Sequence, residues 1–263
     1  MAIHIKTSDE IKKMRIVGKL AAEVLEFIEP YIKIGISTGE LDSICHKYIT
    51  QVQQAKPASL GYQGFPKSIC TSVNDVVCHG IPNINQKLKE GDIINIDITL
   101  FKEGFYSDTS KMFFVGNPTN IGKKLCDITQ NSLYLAIQKI KPGIRLNILG
   151  QTIQNAIEKE QFSIVREYCG HGIGKNLHEE PQILHYKADD QGIILIPGMT
   201  FTIEPMINIG SYKTKIMQDG WTVKTKDHSL SAQYEHTLLV TESGCEILTH
   251  RQEETIPFII NHT

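Results

Sequence analysis

The feature that most constrains this chain is that it repeats itself. The segment "IKIGISTGELDSI" (32–44) lines up with "IKPGIRLNILGQT" (140–152), setting Gly35 against Gly143 at an offset of 108 residues. The β-rich segments echo at nearly the same distance. "GDIINID" runs from Gly91 to Asp97 and "GMTFTIE" from Gly198 to Glu204, an offset of 107. A turn glycine, a β-rich run and a carboxylate therefore recur at about the spacing that relates the helices. That agreement points to two fused halves, each with two helices and an antiparallel hairpin, sharing one core. The expectation is an α+β fold in one domain spanning 1–263, with an internal duplication over roughly 8–115 and 120–248.

Helical spacing begins at Ser8 in "SDEIKKMRIVGKLAAEVLEFIEP", with Thr7 and Glu10 as a capping box and Pro30 as the stop. A second helix is predicted from about Ser37 to Gln53, with Leu41, Ile44, Cys45 and Tyr48 on one face, and two more near 120–140 and 147–160. No Pro/Gly/Ser-rich linker or low-complexity stretch separates the halves. Residues 250–263 read as a loosely held tail. At 263 residues with 41% hydrophobic content, the chain can bury a sizeable core. A net charge of -2 gives no general attraction to nucleic acid or anionic membrane. The six cysteines include no CxxC pair and read as reduced thiols of a cytoplasmic protein. No segment has the apolar run of a signal peptide or a membrane span, so a membrane partner is not expected.

Chemistry enters with the carboxylates. "INIDITLFKEGFYSDTSKMFF" (94–114) alternates, turns at Lys102-Glu103-Gly104 and alternates again, which predicts a hairpin. With 102–103 as the two-residue loop, Asp97 lies directly opposite Asp108 on the same face, Cβ atoms about 5 Å apart. Two carboxylates at that separation repel by on the order of 3 kcal/mol at an effective dielectric near 20. A shared proton or a cation would remove that cost. Glu204 in "FTIEPM" and Glu235 in "QYEHTLLV" hold similar places in the second half. If the halves pair, four carboxylates face inward, matched in charge by two divalent cations. The glycine-loosened stretch "EYCGHGIGKNLHEEP" (167–181) offers two imidazoles, His171 and His178, to complete such a site. Oxygen-rich shells with one nitrogen suit Mn, Fe, Co or Zn. Two such ions about 3.5 Å apart can hold a bridging hydroxide and polarise a carbonyl, which is equipment for hydrolysis.

Six stretches, in order, resemble the type I methionine aminopeptidases of peptidase family M24. They are "SVNDVVCHGIP" (72–82), "GDIINIDIT" (91–99), "GFYSDTSKMF" (104–113), "YCGHGIGKNLHEEP" (168–181), "GMTFTIEP" (198–205) and "SAQYEHTLLVTESG" (231–244). The resemblance covers nearly the whole chain and implies the pita-bread fold, two pseudo-twofold-related halves around a curved central sheet. It implies metal ligation by Asp97, Asp108, His171, Glu204 and Glu235, with Asp108 and Glu235 bridging two divalent ions. His79 is implied to contact substrate and help move a proton, His178 to bond the scissile carbonyl or its oxyanion, and Glu204 to shuttle a proton. A methionine slot is implied at Tyr62, Phe65, Cys70 and Trp221, with Ser59, His79 and Leu177 at its rim. Some relatives carry cysteine, tyrosine and an aromatic residue at the positions of Ser59, Phe65 and Leu177. A monovalent cation site at Asn74, Val76 and Ser231 is a further implication.

The implied reaction removes the first methionine of nascent polypeptides when the second residue is small, by attack of a metal-bridging hydroxide on the first peptide carbonyl. Proline-directed peptidases of the same fold usually carry an extra N-terminal domain, and type II methionine enzymes a helical insertion. The 33 positions from His171 to Glu204 leave little room for the latter. A binding protein that had lost the chemistry would be expected to lack ligands, and all five are present. Lys213, Lys215, Lys224 and Lys226 surround Trp221, and in the family this region is associated with ribosome docking. A monomer is expected.

Overall fold

Thr7 and Glu10 cap the first helix reciprocally: the Thr7 hydroxyl accepts from the Glu10 N–H, and the Glu10 carboxylate accepts from the Thr7 N–H at 2.9 Å. The computed structural model describes residues 3–262. Helix α1 spans Ser8–Ile28 and α2 spans Thr38–Lys47, the latter with a second capping box from Ser37 and Glu40. The helical path predicted to Gln53 continues past α2 as a widened π turn over 48–52. Met14, Val17, Ala21, Leu25 and Ile28 form one buried stripe of α1, at spacings of three, four, four and three. At Gly18 the helix comes so near the Leu248 backbone that a Cβ would strike its carbonyl oxygen.

That stripe packs on a long hairpin. Strand β1 (Cys70–Val73) pairs antiparallel with β3 (Ile93–Lys102), β2 (Val76–Cys78) follows β1, and β4 (Phe105–Phe114) returns along the other side of β3. The loop is Glu103–Gly104, not 102–103 as expected: Lys102 pairs with Phe105. Both loop residues have positive φ, 53° and 86°. A two-residue turn of this kind needs left-handed backbone at both positions, and Gly104 is the residue that adopts it without cost. The register therefore shifts by two, and Asp97 faces Ser110 while Asp108 faces Thr99. The two aspartates are diagonal neighbours on one face, not directly opposite.

In the second half α3 (Asn120–Ile137) and α4 (Asn147–Glu158) precede the strands β5 (Gly170–Gly172), β6 (Glu179–Ile183) and β7 (Thr200–Ile203). Then come β8 (Met206–Asn208), the hairpin of β9 (Thr214–Ile216) and β10 (Val223–Thr225), β11 (Ser231–Gln233), β12 (His236–Val240), β13 (Gly244–Ile247) and β14 (Ile259–Asn261). Six of them form a sheet in the order β14-β13-β12-β7-β5-β6. One apolar core gathers Leu25, Leu41, Ile94 and Ile98 between the first helices and hairpin. The other gathers Leu133, Leu149, Phe201 and Leu238 between the second helices and sheet. Strand β10 pairs with β2 and so ties the halves together. Among the described residues, no helix is long and apolar enough to cross a membrane.

The expected loose tail is corrected over its described residues. Strand β14 pairs with β13, and the Arg251 and Glu254 side chains are fully buried. Arg251 Nη2 donates to Glu254 Oε1 at 2.9 Å, and the same oxygen accepts from Tyr134 at 2.6 Å and lies 2.8 Å from His236 Nε2. Burial opposes the Glu254 charge, but His236 and Arg251 outweigh it and hold this carboxyl low. A charged segment can be anchored inside when its charges find each other there.

Candidate metal centre and substrate slot

Asp97 lies in the middle of β3 and Asp108 in β4, where alternation turns both to the face that meets the second half. Glu204 follows the last residue of β7, and Glu235 sits between β11 and β12. Ser110 and Glu235 form a backbone bridge that joins the first hairpin to the second half beside all four carboxylates. His171 lies in β5, between two glycines whose added Cβ atoms would strike the backbones of Thr202 and Glu180.

These five side chains share one cavity of about 110 Å³. Asp108, His171 and Glu235 each offer a ligand atom, all within 4.8 Å of one another. His171 Nε2 is 3.6 Å from Glu204 Oε1 and 4.0 Å from Asp108 Oδ2. Its Nδ1 donates to the Gly172 carbonyl at 2.9 Å, which leaves the Nε2 lone pair toward the carboxylates. Burial, and then His178, lower its pKa to about 3, so the ring is neutral and able to ligate.

The carboxylates shift the opposite way. Burial and then neighbouring acids push Asp97 and Glu235 well above the usual range. Burial and Asp108 raise Glu204 to about 8. Burial raises Asp108 to about 6, against the hydrogen bond from Thr99. Asp97 Oδ1 and Glu235 Oε1 are buried with no hydrogen-bond partner among the described residues. Orphaned acceptors beside two more acids and a neutral imidazole are the donor set of a divalent cation, so these residues fit one.

Beside this cavity is a second of about 250 Å³, lined by Ser59, Tyr62, Phe65, Cys70, Leu177 and Trp221, with His79 and His178 on the side of the acids. Phe65 and Trp221 meet edge to face at 5.2 Å, and the His79 ring stands against Trp221 at 5.9 Å. His79 has φ 55°, a left-handed backbone that disfavours a side chain by about 1–2 kcal/mol. Burial and His178 lower its pKa to about 4.

Three supporting residues escaped the sequence reading. Thr202 donates to Glu204 Oε1 at 2.8 Å and accepts from the His171 N–H at 3.1 Å. Gln233 donates to Glu204 Oε2 at 3.3 Å, and the Glu204 N–H donates to Nε2 of the buried His185 at 3.0 Å. Thr202 and Gln233 stand two residues before Glu204 and Glu235, a spacing that strand alternation could have flagged; nothing local marks His185.

Asn74, Val76 and Ser231 lie together outside both cavities. The Asn74 carbonyl accepts from the Ser231 N–H at 2.9 Å, and Ser231 Oγ is buried without a partner among the described residues. The four lysines share the β9–β10 hairpin: Lys215 faces Lys224, the Lys226 N–H donates to the Lys213 carbonyl, and Lys224 Nζ reaches Asp75 at 3.1 Å.

The sequence pattern of Metallopeptidase family M24 matches residues 12–242. The chain is 65% identical over 262 residues to the methionine aminopeptidase of Salmonella typhimurium, covering 100% of this chain and 99% of that protein. It is 63% identical over 262 residues to that of Escherichia coli strain K12, with the same coverage. The solved methionine aminopeptidase of Rickettsia prowazekii superposes with a TM-score of 0.92 at 49% identity, over 95% of this chain and all of that one. A prolidase of Pyrococcus horikoshii shares the fold, with a TM-score of 0.72 at 24% identity, over 96% of this chain and 65% of that one.

Proposed function

The chain belongs to metallopeptidase family M24, among the methionine aminopeptidases, and on that premise we propose that it removes the N-terminal methionine of nascent proteins and peptides whose second residue is small. The observation that carries this reading is the meeting of four buried carboxylates and the His171 Nε2 in one cavity that adjoins an apolar slot. Two divalent ions, held by Asp97, Asp108, His171, Glu204 and Glu235, would supply an activated water and polarise the first peptide carbonyl. Co, Mn, Fe and Zn all suit this donor set.

The remaining work falls to the chain itself. Phe65 and Trp221 make walls for an unbranched apolar side chain, and Ser59, Tyr62, Cys70 and Leu177 close the slot around it. His79 and His178 stand where slot and acids meet, placed to hold the scissile amide. Glu204, gripped at both oxygens by Thr202 and Gln233, is oriented to take a proton and return it to the leaving amine.

Three lesser assignments belong to the same reading. Asn74, Val76 and Ser231 hold a monovalent cation, supported by the orphaned Ser231 Oγ. The β9–β10 lysines make a weak, salt-sensitive ribosome contact. The protein works as a monomer in the cytoplasm, a single domain with its halves related by duplication.

Incubation with a Met-Ala-Ser peptide, with Mn or Co and with a chelator, tests the main reading. Methionine release that the chelator stops is expected. No release under any metal, or cleavage confined to Xaa-Pro peptides, would overturn it.

A further inference from the structure

The Tyr62 hydroxyl lies 2.6 Å from Nδ1 of His178. A residue that merely lined an apolar slot would not need to bring its polar end to that nitrogen. The backbone on both sides of Tyr62 is left-handed. Gly61, Gln63 and Gly64 have φ of 84°, 45° and 87°, and at Gln63 left-handed backbone costs about 1–2 kcal/mol. Strain of this sort persists where the surroundings impose it, and functional sites are where it gathers.

The neighbours of the hydroxyl allow it to be the donor. The Gln63 side-chain amide donates to the Tyr62 hydroxyl oxygen at 3.4 Å. That contact occupies one lone pair of the oxygen, and the hydroxyl proton is free to be given to His178 Nδ1. A neutral imidazole that accepts at Nδ1 carries its proton at Nε2.

We propose that Tyr62 is a positioning residue whose hydroxyl fixes His178 in the Nε2–H tautomer, so that the ring offers a donor to the oxygen of the scissile carbonyl. This deepens the function proposed above and rests on it. With the other tautomer, an Nε2 lone pair would face the oxygen as negative charge grows there, and the contact would repel. The His178 ring packs 4.3 Å from that of His171, which keeps it beside the metal ligands, while Tyr62 holds its far nitrogen.

Tyr62→Phe keeps the ring that lines the slot and removes the hydroxyl. Two readouts are needed. The first is a long-range proton–nitrogen correlation spectrum of histidine-labelled, zinc-loaded protein, with the His178 signals identified by loss in His178→Gln. Wild type is expected to show the Nε2–H form, and Tyr62→Phe a mixture of both tautomers. The second is kinetics on Met-Ala-Ser. Tyr62→Phe is expected to lower kcat about tenfold with little change in KM, the scale of one hydrogen bond. The same change in the His178→Gln background is expected to do nothing more, because the hydroxyl acts through that ring.

A wild-type spectrum showing the Nδ1–H form overturns the proposal by itself, even if the variant fails to fold. So does a Tyr62→Phe enzyme that keeps kcat and loses only KM, which would make the hydroxyl part of the slot. Absence of methionine release by wild type would instead count against the aminopeptidase reading, while the spectrum still decides the tautomer.

Discussion

The backbones of Ser110 and Glu235 exchange two hydrogen bonds: the Glu235 N–H donates to the Ser110 carbonyl at 3.0 Å, and the Ser110 N–H to the Glu235 carbonyl at 3.4 Å. Thr109 Oγ1 adds a third, donating to the Glu235 carbonyl at 2.7 Å. Two residues before Ser110 on the same face stands Asp108. The carboxylates of the two halves thus meet through a fixed piece of backbone rather than by chance of side-chain reach. Their repulsion is built into the fold, and several measurable consequences arise from it.

Metal binding should expel protons. Glu204, raised to about 8 by burial and Asp108, holds its proton at neutrality in the metal-free protein; Asp108, raised to about 6 by burial, holds one only in mildly acid solution; both must be ionised to ligate. Affinity should therefore tighten as pH rises through that window. The sign for stability is the reverse. A carboxyl whose folded pKa exceeds its unfolded one contributes stability below the unfolded value and loses it as pH climbs through the folded value. From Glu204 this loss runs from 4.5 to about 8 in the metal-free protein. Calorimetric titration of Mn or Zn in buffers of different ionisation enthalpy measures the release directly. An uptake of protons, or none, would contradict the arrangement.

Glu235→Gln should have opposite effects with and without metal. The buried Oε1 has no partner among the described residues, and burial followed by Asp108, Glu204 and Asp97 raises its pKa. Above its unfolded pKa, keeping this carboxyl protonated costs the folded state, and an amide has no such proton to hold, so metal-free stability at neutral pH is expected to rise by about 1–2 kcal/mol. A ligand is lost at the same stroke, and affinity for the divalent ion should fall at least ~100-fold. Paired urea melts, with and without Mn, read both numbers.

Much of this was legible from residue patterns, and the exceptions are instructive. Repeats at offsets of 107 and 108 foretold two helices and antiparallel strands in each half, and the four carboxylates read from the pattern line one cavity with both His171 and His178; the choice of His171 as the ligand came from the family resemblance. The hairpin register was off by two because alternation alone does not say which two residues turn; the left-handed backbone at Gly104 decides it. Residues 250–262 looked like a tail because "HRQEETIPF" is polar, and its partners His236 and Tyr134 are far off in sequence. His185 is invisible for the same reason: its contact with the Glu204 backbone is made by tertiary folding.

The slot should discriminate by shape. Phe65 is buried and braces Trp221 edge to face at 5.2 Å, and it lines the slot but not the cavity shared by the five ligands. Phe65→Ala is expected to lower kcat/KM on Met-Ala-Ser by about 10- to 100-fold, the scale of a lost apolar contact in a pocket. Metal affinity should be unchanged. A matching loss of metal would mean that Phe65 supports the carboxylates instead.

The C-terminal segment should prove a structural anchor whose removal is felt at the centre. Arg251 and Glu254 are fully buried, and Arg251 Nη1 donates to Thr109 Oγ1 at 3.1 Å, the same hydroxyl that bonds the Glu235 carbonyl. Arg251→Met takes the guanidinium cation from the Glu254 carboxylate and leaves it His236, Tyr134 and the residue 251 backbone N–H, and breaking a buried pair from one side costs about 3–5 kcal/mol. Arg251→Met with Glu254→Gln removes both charges and should recover a large part of that loss, because no carboxylate is then stranded. Urea unfolding of the two variants separates these outcomes. Equal destabilisation in single and double variants would show that the two charges are independent, and the anchor would then be the β14 pairing rather than the ion pair. Since Thr109 connects Arg251 to Glu235, the single variant should also weaken metal binding modestly, by about 10-fold on the scale of supporting hydrogen bonds around a metal. Unaltered affinity in a folded Arg251→Met protein would confine the segment's role to stability.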